Sequence, residues 1–123
     1  MAKHILVIDD QESTRRIISQ MLIDQGYQVT PAADGKEGLA LFNQNPEAID
    51  LILADINMPK IDGFEFLKRV KHRSPASPVI FLTGINVDVA KIVGEEYKVD
   101  GIIKKPFQVE EILKIIEKVI NTL

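Results

Sequence analysis

A chain of 123 residues, 46% hydrophobic and 27% charged, has the size and composition of one ordinary globular domain, which we place at residues 1–123. The absence of cysteine excludes disulfides, thiolate chemistry and cysteine-based zinc sites. The net charge of −3 argues against direct binding of nucleic acid, and no apolar run is long enough for a membrane span or a signal peptide. We therefore expect a cytoplasmic protein.

Five short apolar runs alternate along the chain with five segments of helical period. The runs predict strands because they are compact and bounded by polar or turn residues. The predicted strands cover residues 3–8, 28–32, 50–55, 78–82 and 101–106. The predicted helices cover residues 12–25, 34–45, 62–74, 86–97 and 108–123.

Local signals support these helices. Gly26 stands where the first helix should end, and Asp34 followed by Glu37 resembles a capping box at the start of the second. The segment 86–97 lacks one clean apolar stripe, whereas 108–123 follows the helical period closely. The apolar residues expected at helical spacing are Ile17, Ile18, Met21, Leu22, Leu39, Ala40, Phe42, Phe64, Leu67, Val70, Val109, Ile112, Leu113, Ile116, Val119, Ile120 and Leu123.

This alternation predicts an α/β fold, a (βα)5 flavodoxin-like sandwich of three layers with a parallel five-stranded sheet. Units of strand, helix and strand form parallel sheets through right-handed crossovers. Such a chain commonly adopts the strand order 2-1-3-4-5, whose switch point lies between the first and third strands. That order would bring Asp9 and Asp10 beside Asp55.

Four of the five predicted strands end in side chains that can bind an ion or a phosphate group. In chain order these are Asp9 and Asp10, then Asp55, then Thr83, then Lys104 and Lys105. Each has an ordinary alternative, because Asp and Thr cap helices or hold turns and lysines usually lie in solvent. Capping does not predict this succession of types, so we favour one shared site at the carboxyl edge of the sheet, where such sheets bind ligands.

The residue types of this site favour metal-assisted phosphoryl chemistry. Carboxylates crowded in one crevice raise one another's pKa unless a cation joins them, and Mg²⁺ prefers oxygen ligands of this kind. Asp55 could then attack a phosphoryl group and form an acyl phosphate, since this transfer depends mainly on positioning and charge neutralisation. Thr83 and a lysine could donate to the phosphoryl oxygens.

Four short motifs stand at these strand ends. They are Val-Ile-Asp-Asp at 7–10, Asp-Ile-Asn-Met-Pro at 55–59, Leu-Thr-Gly at 82–84 and Lys-Pro-Phe at 105–107. They resemble the motifs of the receiver domain of two-component response regulators, and the resemblance covers essentially the whole chain. It implies a phosphoacceptor like the single-domain chemotaxis regulators, not an enzyme beyond self-phosphorylation and self-dephosphorylation.

The resemblance also implies a role for each acidic residue. Asp55 would accept the phosphoryl group and bind Mg²⁺. Asp10 would be a direct metal ligand, and Asp9 would act largely through water. The backbone carbonyl of Asn57 would complete the ligands from the protein.

At the fourth and fifth strands the resemblance implies that the hydroxyl of Thr83 turns to the phosphoryl oxygen and that Lys105, rather than Lys104, contacts phosphate. Strand alternation agrees that only one of the two lysines can face the site. The bond between Lys105 and Pro106 is cis in the family. The family usually has an aromatic residue three positions before this lysine, and Ile102 stands there, which puts the mode of signal output in doubt.

The implied phosphodonor is a sensor histidine kinase or a histidine phosphotransfer protein. A downstream protein is expected on the face formed by the fourth helix, the fifth strand and the fifth helix, where Ile85 and Ile115 add apolar area. No contact with nucleic acid or membrane is expected. A weak homodimer is left open, as is the choice between a stand-alone regulator and the receiver of a longer protein.

Two other functions compete with this one. A phosphohydrolase of the dehalogenase type also uses an Asp at a strand end, but it needs a second Asp two residues later as general acid, and Asn57 cannot serve. A pseudo-receiver that never carries phosphate would not need all five site residues. The basic cluster at 68–73 is interpreted as compensation of the helix dipole.

Overall fold

The computed structural model describes residues 2–58, 60–84 and 99–121. The strands in these ranges are β1 (His4–Ile8), β2 (Gln28–Ala32), β3 (Leu51–Asp55), β4 (Val79–Thr83) and β5 (Gly101–Lys104). The helices are α1 (Glu12–Asp24), α2 (Gly35–Gln44), α3 (Gly63–Arg73) and α4 (Val109–Asn121), with a 3-10 turn at Pro46–Ala48. The predicted helix 86–97 lies outside the described residues. No helix within them is both long and apolar enough to cross a membrane.

The five strands form one parallel sheet in the order β2-β1-β3-β4-β5. The predicted fold class and strand order are therefore confirmed. Every residue of β3 and of β4 is buried. Strands covered by helices on both faces need no polar alternation, which explains why these two read as continuous apolar runs.

Two hydrophobic cores lie on opposite faces of the sheet. One core packs α2 and α3 against the sheet, and its main helical residues are Leu39, Phe42, Phe66, Leu67 and Val70. The other packs α1 and α4, and its main helical residues are Ile18, Leu22, Ile112, Ile116 and Val119. Successive residues of β1 alternate between the two cores, as the pleat requires. The predicted three layers are thus present.

The helix ends follow the local signals. The carboxylate of Asp34 accepts a hydrogen bond of 2.8 Å from the backbone N–H of Glu37 at the start of α2. Asp62 caps α3 in the same way through the N–H of Glu65, at 2.9 Å. Gly26, with φ of 93°, follows α1 in the left-handed region that glycine adopts without steric cost.

Three residues expected in the core are exposed instead. Ile17 is 61% exposed and Val109 is 43% exposed, and Ala40 also faces solvent. In α1 the buried stripe is formed by Ile18 and Leu22, and a neighbouring position points about 100° away from it. The helical period therefore located the four described helices correctly, but it assigned some exposed residues to their buried faces.

The basic cluster in α3 does not serve only the helix dipole. Lys71 is buried, and its ammonium donates to the carbonyl oxygen of Ser77 at 2.6 Å and to Asp100 Oδ2 at 3.0 Å. This lysine therefore joins the end of α3 to the segments that begin β4 and β5. The fifth strand also ends earlier than predicted, at Lys104.

Candidate functional site

Neighbouring strand ends bring the predicted site residues to one crevice. The register of β1 on β3 places Asp9, which follows β1, beside Asp55 at the end of β3. The register of β4 on β5 pairs Thr83 with Lys104, one residue before Lys105. The carboxyl ends of four strands thus meet at one edge, as the sequence predicted.

Three carboxylates converge in this crevice. Asp9, Asp10 and Asp55 each offer one oxygen, and these oxygens all lie within 4.8 Å of one another. Asp9 is fully buried and Asp55 is 5% exposed, whereas Asp10 is exposed. The acidic cluster is therefore built into the edge of the core and reaches solvent through Asp10.

One lysine faces the carboxylates. The Nζ atom of Lys105 lies 2.7 Å from Asp55 Oδ2 and 3.7 Å from Asp9 Oδ2. Lys104 is exposed, so the structure places Lys105 rather than its neighbour in the crevice. The backbone N–H of Lys105 donates to the carbonyl oxygen of Thr83 at 2.7 Å, and the bond to Pro106 is cis.

The two oxygens of Asp9 differ in their partners. Oδ1 accepts a hydrogen bond of 2.9 Å from the N–H of Gln11, but Oδ2 is buried and has no hydrogen-bond partner among the described residues. Burial raises the pKa of Asp9 above its ordinary value, and the charges of Asp55 and Asp10 add to the rise. The hydrogen bond from the Gln11 N–H and the charge of Lys105 lower the pKa of Asp9, but they offset the rise only in part.

The pKa of Lys105 is governed by opposing effects. Burial alone would lower it, but the hydrogen bond and charge of Asp55, with a smaller contribution from Asp9, raise it above its ordinary value. Lys105 is therefore a cation at neutral pH. It can act as a fixed positive charge in the crevice.

The donor set fits a divalent cation. Three carboxylates against one ammonium leave two formal negative charges in the crevice. The groups that carry the excess charge are carboxylates, whose oxygens suit Mg²⁺, and Asp9 Oδ2 is buried and accepts no hydrogen bond from the described residues. These three carboxylates are therefore a group of residues that could hold a divalent cation.

The loop after β3 is held close to Asp55. The N–H of Asn57 donates to Asp55 Oδ1 at 3.0 Å, and the side chain of Asn57 is exposed. The N–H of Gly63 donates to the carbonyl oxygen of Ile56 at 2.8 Å. A Cβ at Gly63 would lie 2.6 Å from the Ile56 Cα, so a glycine is needed where α3 starts against this loop.

Two contacts at this edge of the sheet, made by Lys60 and Arg15, were not predicted from the sequence. Lys60, at φ of 72°, places its Nζ 3.2 Å from Asp34 Oδ2, which links the loop after β3 to the end of β2. The Glu37 N–H, and secondarily Lys60, lower the pKa of Asp34. Arg15 donates to the carbonyl oxygen of Asp9 at 2.7 Å. Asp34 could have been found as another acid after a strand, but no local pattern marks Lys60 or Arg15.

Thr83 and Ile102 lie on the same side of the sheet. Thr83 is fully buried at the end of β4. Ile102 pairs in register with Phe81 and is partly buried against the core under α2 and α3. Because alternate residues of a strand share a face, Thr83 points to the side occupied by Phe81 and Ile102. A movement at Thr83 could therefore reach Ile102 along this face.

Residues 5–117 match the family of the response regulator receiver domain. The chain is 37% identical to the alkaline phosphatase synthesis transcriptional regulatory protein PhoP of Bacillus subtilis, over 91% of this chain and 46% of that protein. It is 38% identical to the transcriptional regulatory protein DltR of Streptococcus agalactiae, over 89% of this chain and 48% of that one. The chain thus spans about half the length of the curated relatives it matches.

Solved structures agree with this match. A response regulator receiver domain protein from Clostridium thermocellum aligns with a TM-score of 0.91 and 31% identity, over 98% of this chain and 95% of that one. The chemotaxis protein CheY4 of Vibrio cholerae aligns with a TM-score of 0.89 and 36% identity, over 97% of this chain and 99% of that one.

Proposed function

Because this chain belongs to the family of response regulator receiver domains, we propose that Asp55 accepts a phosphoryl group from a sensor histidine kinase or a histidine phosphotransfer protein. Receiver domains of this family are signalling phosphoacceptors rather than classical enzymes. Phosphorylation of Asp55 then changes the surface that a downstream protein recognises. At most, the domain catalyses its own phosphorylation and dephosphorylation.

One observation carries this proposal. The crevice holds three carboxylates and one lysine, and its excess of two negative charges lies around Asp55. A purely structural ion pair needs no such excess, which costs free energy in a partly buried site. A site that takes up a divalent cation and an anionic phosphoryl group does need it.

Asp55 supplies the nucleophile. One of its oxygens bonds to phosphorus while the N–P bond of the donor's phosphohistidine breaks, and the electron pair of that bond stays on the histidine nitrogen. The hydrogen bond from the Asn57 N–H orients the carboxylate. An ammonium has three donors, so Lys105 can hold Asp55 and a phosphoryl oxygen together.

We assign the metal ligands to Asp9, Asp10, Asp55 and the backbone carbonyl of Asn57. When bound, Mg²⁺ would neutralise the carboxylates and the charge of the transferring group. Asp9 Oδ2, which is buried and accepts no hydrogen bond from the described residues, and the exposed position of Asp10 support this assignment. We propose that Asp9, which is fully buried, acts largely through water.

Thr83 is the proposed link from the phosphoryl group to the rest of the domain. Its hydroxyl would donate to a phosphoryl oxygen, since it ends the strand next to β3. It shares a face of the sheet with Ile102, which lacks the volume and the hydroxyl of an aromatic residue such as tyrosine. We therefore propose that the switch is loosely coupled to β5.

An apolar patch on α1 and α4 is the proposed docking surface for the phosphodonor. Ile17 and Met21 of α1, with Val109 of α4, border a groove of about 450 Å³. The loop before α1 carries Asp10, and the loop before α4 carries Lys105. A protein seated on this patch would thus have its phosphohistidine near Asp55, and exposed apolar side chains commonly mark such contacts.

The proposed surface for the downstream protein includes β5 and the outer side of α4. Ile115 of α4 packs over Gly101, where a Cβ would lie 3.0 Å from its Cγ2. A groove of about 280 Å³ opens there between Asp100 and Lys118. The other parts of the predicted face, Ile85 and the helix 86–97, lie outside the described residues.

Replacement of Asp55 by asparagine tests the proposed function. Asp55→Asn keeps the shape of the side chain but removes the nucleophile, so Mg²⁺-dependent, acid-labile labelling by acetyl phosphate or a cognate kinase should be lost. Asp62→Asn is the matched control, because asparagine also caps helices well and Asp62 lies outside the acidic cluster.

Mass spectrometry of the labelled protein distinguishes the competing functions. A phosphorylated residue other than Asp55 would disprove the assignment. A parent protein that takes no label with Mg²⁺ would be a pseudo-receiver. Rapid multiple turnover of small phosphate esters would instead favour the phosphohydrolase.

A further inference from the structure

A third groove lies between α2 and α3, and none of the residues that line it belongs to the acidic cluster. Its cavity volume is about 480 Å³, within the range of pockets that bind ligands. The residues that the argument uses are Leu39 and Asn43 of α2, and Lys68, Arg69, His72 and Arg73 of α3.

The groove carries an excess of positive charge. Its one acidic residue, Glu65, is already paired with Arg69, with Oε1 and Nε 3.0 Å apart. Lys68 and Arg73 form no salt bridge with any carboxylate in the part of the chain that the structure describes. This positive surface stands out on a chain whose net charge is −3.

Compensation of the helix dipole explains this charge only in part. The dipole acts within the last turn of a helix, and the basic residues there are Lys71, His72 and Arg73. Lys71 is turned into the protein and pairs with Asp100. Lys68 lies before the last turn and still borders the groove. Lys68 and Arg73 are therefore the two cations of the groove that are available to a partner.

The spacing of these cations suits an extended acidic peptide. Lys68 and Arg73, which both border the groove, are five residues apart, a rise of about 7.5 Å along the helix. Alternate residues of an extended chain are about 6.6 Å apart and point to the same side. The buried Leu39 gives the groove an apolar floor, and the amide of Asn43 can bond to a peptide backbone.

We propose that the groove between α2 and α3 binds an extended acidic peptide segment of a partner protein, with carboxylates paired to Lys68 and Arg73. A nucleic acid is the less favourable occupant. Nucleic-acid sites lie on strongly basic domains and follow a long phosphate backbone, whereas this chain is acidic and the basic patch is short.

The test uses an eight-residue peptide of alternating glutamate and serine, with an alternating glutamine and serine peptide as the uncharged control. Backbone NMR shifts of the full chain should change at Leu39, Asn43 and His72 with the acidic peptide only. The charge reversal Lys68→Glu with Arg73→Glu should weaken binding about tenfold.

The matched control is Lys3→Glu with Lys114→Glu, which changes the net charge equally at two exposed positions away from the groove. This control should bind within about twofold of the parent. Equal weakening by both pairs of changes would show non-specific attraction and overturn the proposal. So would shifts confined to other surfaces, or tighter binding of an eight-nucleotide DNA strand at the same residues.

The groove is independent of phosphorylation at Asp55. Lys68→Glu with Arg73→Glu should leave labelling of Asp55 by acetyl phosphate unchanged, because neither residue lies in the acidic crevice. Loss of labelling in a folded variant would contradict the separation of the two sites.

Discussion

Two lysine and aspartate pairs flank β5 at its opposite ends. Before the strand, Lys71 Nζ lies 3.0 Å from Asp100 Oδ2. After it, Lys105 Nζ lies 2.7 Å from Asp55 Oδ2. The pairs have the same chemistry and nearly the same length, yet one is at the amino edge of the sheet and the other is at the carboxyl edge.

The pair at the amino edge is balanced in charge. One ammonium meets one carboxylate, Lys71 also donates to the carbonyl oxygen of Ser77, and Asp100 also accepts from the Val79 N–H at 2.8 Å. The buried ammonium and the carboxylate oxygen that faces it thus have several partners within the protein. Such a group of bonds holds α3, β4 and the start of β5 together and leaves no charge for a ligand.

The pair at the carboxyl edge is not balanced. Lys105 faces Asp55, but Asp9 and Asp10 add two further carboxylates, and Asp9 Oδ2 is buried with no hydrogen bond from the part of the chain that the structure describes. The difference teaches that an ion pair alone does not mark function in this fold. An excess of charge that the protein does not satisfy marks the place where a ligand is expected.

The largest expected effect on stability is at the balanced pair. Lys71→Met should lower the free energy of unfolding by about 3 kcal/mol, because it leaves the Asp100 carboxylate and the Ser77 carbonyl without their cation. We place the loss at the lower end of the range for buried pairs, since the Asp100 side chain is 34% exposed. Urea denaturation measures it.

The exposed neighbour Lys68 provides the control for this prediction. Lys68→Met should change the free energy of unfolding by less than about 0.5 kcal/mol. If the free energy of unfolding fell no further in Lys71→Met than in this control, the two ends of β5 would not differ in the way described.

The second prediction concerns the unbalanced edge. Mg²⁺ at about 100 times its dissociation constant should raise the free energy of unfolding by about 2.7 kcal/mol, because it binds only the folded site. Thermal melts with and without Mg²⁺ measure the rise. It should persist in Lys71→Met and largely disappear in Asp10→Ala.

An Asp10→Ala protein that gains as much stability from Mg²⁺ as the parent would place the cation elsewhere. If the Lys71→Met protein, in which Asp10 is intact, gained no stability from Mg²⁺, the two edges of the sheet would be coupled rather than separate.

The smallest expected effect lies between the two edges, at Ile102. In the Mg²⁺-bound parent, beryllofluoride, a phosphoryl mimic, should shift NMR signals near Thr83 but change those of Ile102 and α4 little. A ligand shifts an equilibrium only by its different interactions with the two states, and Ile102 offers less volume for such contacts than an aromatic residue. Ile102→Tyr should extend the changes to α4.

Comparison of the parent protein with Ile102→Tyr decides this prediction. If the parent already shows changes at Ile102 and α4 as large as those of Ile102→Tyr, the coupling is not weak and the side chain at this position does not limit it.

Most of the fold could be predicted from local pattern. The apolar runs located all five strands, and Asp34 and Gly26 marked helix ends that the structure bears out. The buried faces of the helices were less predictable. Ile17 and Val109 fit the helical period, but which side of a helix is buried depends on the partner packed against it, and that is not a local property.

The candidate site was predictable because strand ends in a parallel sheet share an edge. Once the strand order was inferred, Asp9, Asp10 and Asp55 had to meet, and the structure brings them within 4.8 Å. The link from Lys60 to Asp34 could not be predicted in the same way, because it joins two loops whose approach depends on how α2 and the loop after β3 pack.

The sequence by itself determined the fold class and the acidic and basic types at the carboxyl edge, because period and motif are encoded locally, and the order that such sheets commonly adopt supplied the strand order. Only the tertiary structure decided which lysines are buried. Lys71 and Lys68 stand three residues apart in one basic run, yet one pairs with Asp100 and the other borders the groove. That choice depends on Asp100, 29 positions away from Lys71, because a buried charge is stable only where folding supplies its partner.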